Sequence, residues 1–356
     1  MCNASMEKLK LGVIFGGMST EHEVSIVSGT SIIKNLNKEK YEIIPIYLSK
    51  EGEWFYYDKK VEDIEVLQVG DKIEEIKPME NPINLLKSLD VAFPVLHGLY
   101  GEDGTIQGLL ELLKVKYVGC RVLSSSVCMD KVYAKIIFEK ANLSQANYIY
   151  VKAHNGNYTY VDHEFNQEKM DLKQIAQKVE QTLGFPVFVK PSNSGSSVGI
   201  NKASNQQELE KAISYAAQFD TKILIEEEII GREIECAVLG NEEVKATCVG
   251  EILPAEEFYT FDAKYKNAES RVVIPAEIPE EKQQEIKSLA IKAFQAVDGK
   301  GLARVDFFIR KKDNQVCINE INTLPGFTQI SMYPKLWEHC GLPYSELLDK
   351  LIELAY

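Results

Sequence analysis

Residues Arg304 to Ser331, RVDFFIRKKDNQVCINEINTLPGFTQIS, decide how this chain is read. Val305, Phe307 and Ile309 alternate with Arg304, Asp306 and Phe308, the period-2 pattern of a strand. Lys311-Lys312-Asp313-Asn314 is a polar turn, and Val316 to Ile321 is a second apolar strand. A three-residue loop over Lys312-Asp313-Asn314 sets Asp306 opposite Glu320 and Arg304 opposite Asn322. Opposed residues share a face, with Cβ atoms about 5 Å apart. Two carboxylates this close repel unless something neutralises them. Mg²⁺ does so with oxygen ligands at about 2.0–2.1 Å, from one or two carboxylates plus phosphates. Asn322 adds a neutral oxygen. The same pattern also fits a solvated hairpin face with a surface Arg–Asp pair, so the hairpin alone leaves both readings open.

Upstream of the hairpin, Pro279 to Val297 has the spacing of an amphipathic helix. Before it lies PAEEFYTFDAKYKNAES, residues 254–270. Connections beyond about 12–15 residues are usually functional or disordered. Phe258, Tyr259, Phe261 and Tyr265 argue against plain disorder, so this stretch reads as a closing lid. Lys264 is then placed to reach a transferring phosphate.

Further back, Phe185 to Lys190 is a strand entering PSNSGSSVG, residues 191–199. A Gly/Ser-rich loop between two strands can wrap phosphates with N–H groups and hydroxyls, and Lys190 stands at its mouth. It lacks the Walker A pattern and reads otherwise as a flexible hairpin loop. Lys222 to Glu228, KILIEEE, is a strand ending in three acids, suited to adenine and ribose or else a solvated end. Ser124 to Ser126 would cap a helix containing Met129-Asp130-Lys131.

The N-terminal third begins with an apolar strand, Leu9 to Phe15, and Gly16-Gly17. Thr20 and Glu23 match a capping box, so a helix is expected from there to about Asn35, with a strand at Tyr41 to Leu48. This opens a parallel βαβ unit without the dinucleotide fingerprint. Glu21 falls in the first helical turn, where it either favours the dipole or holds an ammonium at a strand's carboxyl end. Val91 to Leu96 is a strand followed by HGLYGEDGT, in which His97 is either a satisfied structural residue or part of a site. Residues 51–88 carry little periodicity.

The chain has 356 residues, 45% apolar, enough for two or three domains with sizeable cores. Its net charge of −13 disfavours nucleic acid as a partner. Seven scattered cysteines, with no C-x-x-C pair, suit reduced thiols of a cytosolic protein. No signal-peptide pattern or apolar run of membrane length occurs, so neither secretion nor membrane insertion is expected. Residues 1–5, ahead of a second methionine at Met6, are set aside from the fold reading.

These stretches resemble the D-alanine–D-alanine ligase family, with its ATP-grasp fold. The resemblance is carried by FGGMSTEHEVS (15–25), VLHGLYGEDGTIQG (95–108), CMDK (128–131), VKPSNSGSSVGI (189–200), AKY (263–265) and GLARVDFF…NEINTLPGFT (301–328). It implies an α/β enzyme with three domains, at residues 1–120, 121–227 and 228–356, and ATP between the last two. It implies that Lys131, Lys190, Ser196, Ser197 and Lys264 contact ATP, and that Glu226, Glu227, Ile229 and Glu233 hold adenine and ribose. Asp306, Glu320 and Asn322 correspond to ligands of two Mg²⁺ ions, for which Mn²⁺ can substitute. Glu21 corresponds to the partner of the first substrate's ammonium, with His97 nearby, and Glu21, Ser196 and Tyr265 to the group that locks the lid. Arg304 and the Gly326 N–H would hold the oxyanion, and Ser331 the second substrate's carboxylate. Two D-alanines would be joined through an acyl phosphate for peptidoglycan precursors, by a cytosolic homodimer. D-alanine–D-serine ligases resemble this chain too, but commonly carry an arginine where Met332 stands. A catalytically silent ATP-binding regulator would not need the charges at Arg304, Asp306 and Glu320.

Overall fold

A computed structural model of the protein describes residues 7–253, 271–328 and 330–356. Three sheets follow one another along the chain. The first contains β1 (Leu9–Gly16), β2 (Tyr41–Leu48), β3 (Trp54–Tyr57), β4 (Ile76–Pro78), β5 (Val91–Pro94) and β6 (Lys116–Tyr117). Their order is β4-β3-β2-β1-β5-β6. β1, β2, β5 and β6 run parallel, while β3 and β4 add an antiparallel edge drawn from the aperiodic stretch 51–88. β1 is covered on both faces, as parallel strands are. Leu11, Val13 and Phe15 pack with Ile32 and Ile33, and Ile14 packs on the other side with Ile46 and Ala92. The helices are α1 (His22–Asn35), α2 (Pro82–Lys87) and α3 (Thr105–Leu112). The strand order reverses between β1 and β5, the place where open α/β sheets bind ligands. Gly16 turns the chain there at φ +97°, and a Cβ on it would lie 2.2 Å from the Leu48 carbonyl oxygen.

The expected capping box at Thr20 and Glu23 does not form. Glu21 itself is the N-cap of α1, without a side-chain capping bond. Ser19 takes that part of the turn instead, since its Oγ accepts from the Glu21 N–H at 3.1 Å and donates to the His97 carbonyl at 2.6 Å. The Glu21 carboxylate is thereby left out of the capping of α1.

The second sheet is antiparallel, ordered β11-β10-β12-β7-β8-β9. Its strands are β7 (Tyr148–His154), β8 (Asn157–Val161), β9 (Gln167–Met170), β10 (Val187–Pro191), β11 (Asn201–Ala203) and β12 (Lys222–Glu227). Helices α4 (Val122–Met129) and α5 (Lys131–Lys140) precede it, and α6 (Leu172–Thr182) and α7 (Gln206–Ala216) cover it. The serines 124–126 lie inside α4 and do not cap it. Asp130 breaks the helix in an extended conformation and caps α5, accepting from the Val132 and Tyr133 N–H groups at 3.1 Å each. Phe138 and Ala134 of α5 are buried with the core of the third sheet.

The third sheet, β15-β14-β13-β16-β17, contains β13 (Gly231–Gly240), β14 (Lys245–Leu253), β15 (Arg271–Val273), β16 (Gly301–Arg310) and β17 (Val316–Asn322). Helix α8 (Glu280–Ala296) packs Ile286, Ala290 and Phe294 against Val305, Phe307 and Ile309. The chain ends in α9 (Met332–His339) and α10 (Tyr344–Glu353), whose Leu347, Leu351 and Ile352 return to the core of the first sheet.

The β16–β17 hairpin reaches the expected pairing by a different route. The loop has four residues, not three, because the Arg310 N–H donates to the Gln315 carbonyl at 2.8 Å. That register alone would set Asp306 opposite Asn319 and turn Glu320 to the other face. Ile318 pairs with Phe307 while Glu320 pairs with Asp306, so Asn319 is an inserted bulge residue. The bulge restores Asp306 opposite Glu320 and Arg304 opposite Asn322. Bulges beside sites commonly re-aim a side chain in this way.

Candidate active site

An open cleft of about 1080 Å³ lies among the three sheets. Its lining includes Arg304, Asp306, Glu320, Asn322 and Gly326 from the hairpin and the segment after it. Lys131, Lys190, Ser196 and Ser197 line it from the second sheet and its approaches, with Glu226, Glu227, Ile229 and Glu233 at the far end. Glu21 and His97 close it from the first sheet. Ser331 and Met332 are not in this lining. Ser331 Oγ accepts from the Thr328 N–H at 3.0 Å, and Met332 is buried in the core at 5% exposure. Lys264 and Tyr265, with the stretch 254–270 read as a lid, lie outside the described residues, as does Gln329.

On the first sheet, the Glu21 carboxylate is buried in a narrow slot between two glycine turns. A Cβ added at Gly98 or at Gly195 would lie 2.7 Å from Glu21 Oε2. Only glycine on both sides lets the phosphate-type loop and the His97 turn approach this carboxylate together. His97 is buried, and its ring joins two segments. Its Nδ1 is 3.1 Å from the Leu324 carbonyl and its Nε2 is 2.8 Å from Ser28 Oγ. The carbonyl can only accept, so Nδ1 carries a proton towards it, and Nε2 shares a hydrogen bond with the Ser28 hydroxyl. Ser28 Oγ in turn accepts from the Phe327 N–H at 3.2 Å. His97 thus ties residues 324–327 to the first sheet, which holds Gly326 in the cleft wall.

In the second sheet, the loop 192–199 is built around left-handed backbone at Ser196 (φ 50°) and Ser197 (φ 62°). Such conformations cost about 1–2 kcal/mol per residue and cluster at functional sites. The root of the loop is held from several sides. Ser192 Oγ donates to Asp130 Oδ1 at 2.6 Å, the Asn193 N–H donates to Asp220 Oδ2 at 2.8 Å, and Lys131 Nζ donates to the Ser194 carbonyl at 2.6 Å. Burial lowers the Lys131 pKa. Glu226 is buried between Lys135 and Lys190. Burial alone would raise its pKa, but the two ammonium groups overcome this and hold it at about 2. Burial would likewise lower the Lys190 pKa, and the facing Glu226 raises it on balance.

In the third sheet, Arg304 is buried and clamped by Asp306 through two bonds of 2.7 Å, with Glu235 at 3.2 Å. These carboxylates overcome the desolvation of the guanidinium and push its pKa up. Asp306, Glu320 and Asn322 share one face and offer hard oxygen donors, the set that Mg²⁺ prefers. Among the described residues, ten carboxylates and six cationic side chains line the cleft. A polyphosphate entering so acidic a cleft needs divalent cations, so the residues fit a bound metal.

Asp130, Lys135 and Glu235 are the functional neighbours that sequence reading missed. For Asp130 the signal was present, as an Asp between two helical runs is a strong N-cap. Lys135 and Glu235 carried none, because a lysine on a helix and an acid in a strand look like solvated surface.

Comparison with known proteins matches residues 10–120 to the family described as "D-ala D-ala ligase N-terminus" and residues 137–353 to "D-ala D-ala ligase C-terminus". A D-alanine–D-alanine ligase of Clostridium acetobutylicum is 51% identical over 349 residues, covering 98% of this chain and 98% of its own. Among solved structures, the D-alanine–D-alanine ligase of Coxiella burnetii superposes with a TM-score of 0.83 at 35% identity, over 98% of this chain and 94% of that one. The VanG D-Ala:D-Ser ligase of Enterococcus faecalis gives 0.84 at 36% identity, over 98% and 100%.

Proposed function

The chain belongs to the D-alanine–D-alanine ligase family and joins D-alanine to D-alanine with ATP, and on that premise we propose how its cleft divides the work. The observation that carries the proposal is the bulge-set pairing of Asp306 with Glu320 beside Arg304. A carboxylate is a poor electrophile near pH 7. Phosphoryl transfer from ATP turns the first D-alanine into an acyl phosphate, and the amine of the second then displaces phosphate.

Asp306, Glu320 and Asn322 would hold two Mg²⁺ ions, which offset charge on the transferring phosphoryl. Lys131, Lys190 and the loop through Ser196 and Ser197 bind the phosphates, and Glu226, Glu227, Ile229 and Glu233 hold adenine and ribose. The buried Glu21 carboxylate pairs with the ammonium of the first D-alanine, and His97 supports that pocket through its two held ring nitrogens. Arg304 and the Gly326 N–H stabilise the oxyanion formed when the amine attacks. Ser331 would bind the carboxylate of the second D-alanine by turning its Oγ from Thr328 into the cleft, and Met332, buried in the core, brings no charged group there, which favours D-alanine over D-serine.

Residues 1–120, 121–227 and 228–356 serve as the three domains, a division supported by one sheet in each. The exposed Leu112 and Leu123 favour a homodimer. No described helix is long and apolar enough to cross a membrane, and the buried free thiols of Cys120, Cys128, Cys236 and Cys317 favour the cytosol. Phosphate release with ATP and Mg²⁺ tests the reading against D-alanine, D-serine, L-alanine and D-lactate. D-Alanine alone is expected to turn over. No turnover with D-alanine sinks the proposal, and much faster turnover with D-alanine plus D-serine shifts it to a D-alanine–D-serine ligase.

A further inference from the structure

Glu226 carries one lysine on each carboxylate oxygen. Lys135 Nζ sits 2.8 Å from Oε2, and Lys190 Nζ pairs with Oε1. The two lysines are not equivalent. Lys135 comes from α5, its side chain is only 4% exposed, and its ammonium also faces the Tyr148 ring at 5.4 Å. Lys190 lies at the end of β10, at the mouth of the Ser/Gly loop, and its side chain is 16% exposed. Both lysines line the cleft, and the Lys190 ammonium is the more open of the two to an incoming phosphate.

A lysine paired to a buried carboxylate can leave only if that carboxylate keeps another counterion, because an uncompensated buried charge is strongly unfavourable. Lys135 is that counterion. We propose that Lys135 is a positioning residue for nucleotide binding: it keeps Glu226 neutralised so that Lys190 can swing from Oε1 to the phosphates of ATP. The inference rests on the ligase reading above and adds a residue to it. The pair of ammoniums on one acid stores a spare positive charge, and the nucleotide collects it. Lys135 stays in place, held also by its backbone, whose carbonyl accepts from Gln145 Nε2 at 2.8 Å.

Removing Lys135 should not unfold the site, since Glu226 keeps Lys190. It should instead lock Lys190 onto Glu226. For K135M, the Kd of a non-hydrolysable ATP analogue with Mg²⁺, read by titration calorimetry, is expected to rise at least ~10-fold. The KM for D-alanine should stay within about twofold of wild type, because Glu21 and His97 lie on another sheet. In a K190M background no ammonium is left to be released, so adding K135M should weaken the analogue by less than about twofold further. Unchanged analogue binding in K135M overturns the inference. So does a K135M loss that persists in full in the K190M background, which would mean that Lys135 touches the nucleotide itself or only supports the fold. If K135M is poorly folded, K135Q is read by the same two criteria. Wild-type protein that fails to turn over D-alanine would sink the ligase reading, whereas active wild type with an unaffected K135M would sink this inference alone.

Discussion

The cleft contains two buried charge clusters of opposite balance. On the third sheet a single guanidinium, Arg304, faces Glu235, Asp306 and Glu320, so acids are in excess. Between the second sheet and α5 one buried carboxylate, Glu226, is paired with both Lys135 and Lys190, with Lys131 close by, so cations outnumber the acid they directly pair with. The clusters also differ in stiffness. Arg304 is clamped by a planar two-bond contact with Asp306, which favours a fixed geometry, whereas lysine ammoniums are point charges on flexible stems. An acid-rich rigid cluster invites divalent cations, and a cation-rich adaptable one invites phosphate. A metal-bound nucleotide satisfies both at once, and neither cluster alone would indicate it.

Substitution of Glu320 breaks the comparison most severely. Glu320→Gln keeps the size and removes one of the two opposed carboxylates, so the acid-rich cluster loses its call for a metal. The expected loss is about 10²–10³-fold in kcat, measured as phosphate release over a Mg²⁺ titration, with the circular dichroism spectrum unchanged. Activity within a factor of a few of wild type would mean that Glu320 holds no metal. Much of this cluster was legible in the sequence, because strand alternation and a polar turn already set Asp306 against Glu320. The route was not legible. The four-residue loop and the Asn319 bulge each shift the register by one, and the two shifts cancel. Alternation reports which residues face the cleft, while hydrogen bonding in the turn decides which of them meet.

The cation-rich cluster was far less legible. Lys190 stood out beside a Gly/Ser loop, but Lys135 lies mid-helix, where a lysine ordinarily faces water. Its burial follows from the tertiary packing of α5 between two sheets. Acid unfolding sharpens this half of the comparison. Glu226 titrates at about 2 in the folded protein against an ordinary 4.5. Its pairing therefore stabilises the fold fully above pH 4.5, and that contribution disappears as pH falls from 4.5 towards 2. The depression corresponds to about 3 kcal/mol. Denaturant melts of wild type and Glu226→Gln over this range should converge as the pH falls, and parallel curves would show that Glu226 is not held ionised by its lysines.

The smallest expected effect concerns Gly195, where the second sheet touches the first. Glu21 was picked out from its place beside a strand end, but the slot around it was invisible, because Gly98 and Gly195 are 97 positions apart and only folding opposes them. A methyl group at position 195 would sit 2.7 Å from Glu21 Oε2, too close to remain, and the carboxylate end is the part able to yield. Gly195 carries no left-handed φ, so Gly195→Ala introduces no backbone strain of that kind. The consequence should be local. Displacing the carboxylate by a few tenths of an ångström weakens its pairing with an ammonium, and the KM for D-alanine should rise about 3- to 10-fold, on the scale of one charge-assisted hydrogen bond. The KM for ATP should rise less, because both charge clusters are left in place. If the ATP constant moves more than the D-alanine constant, Gly195 matters for the shape of the phosphate loop, and the Glu21 slot is not what requires a glycine there.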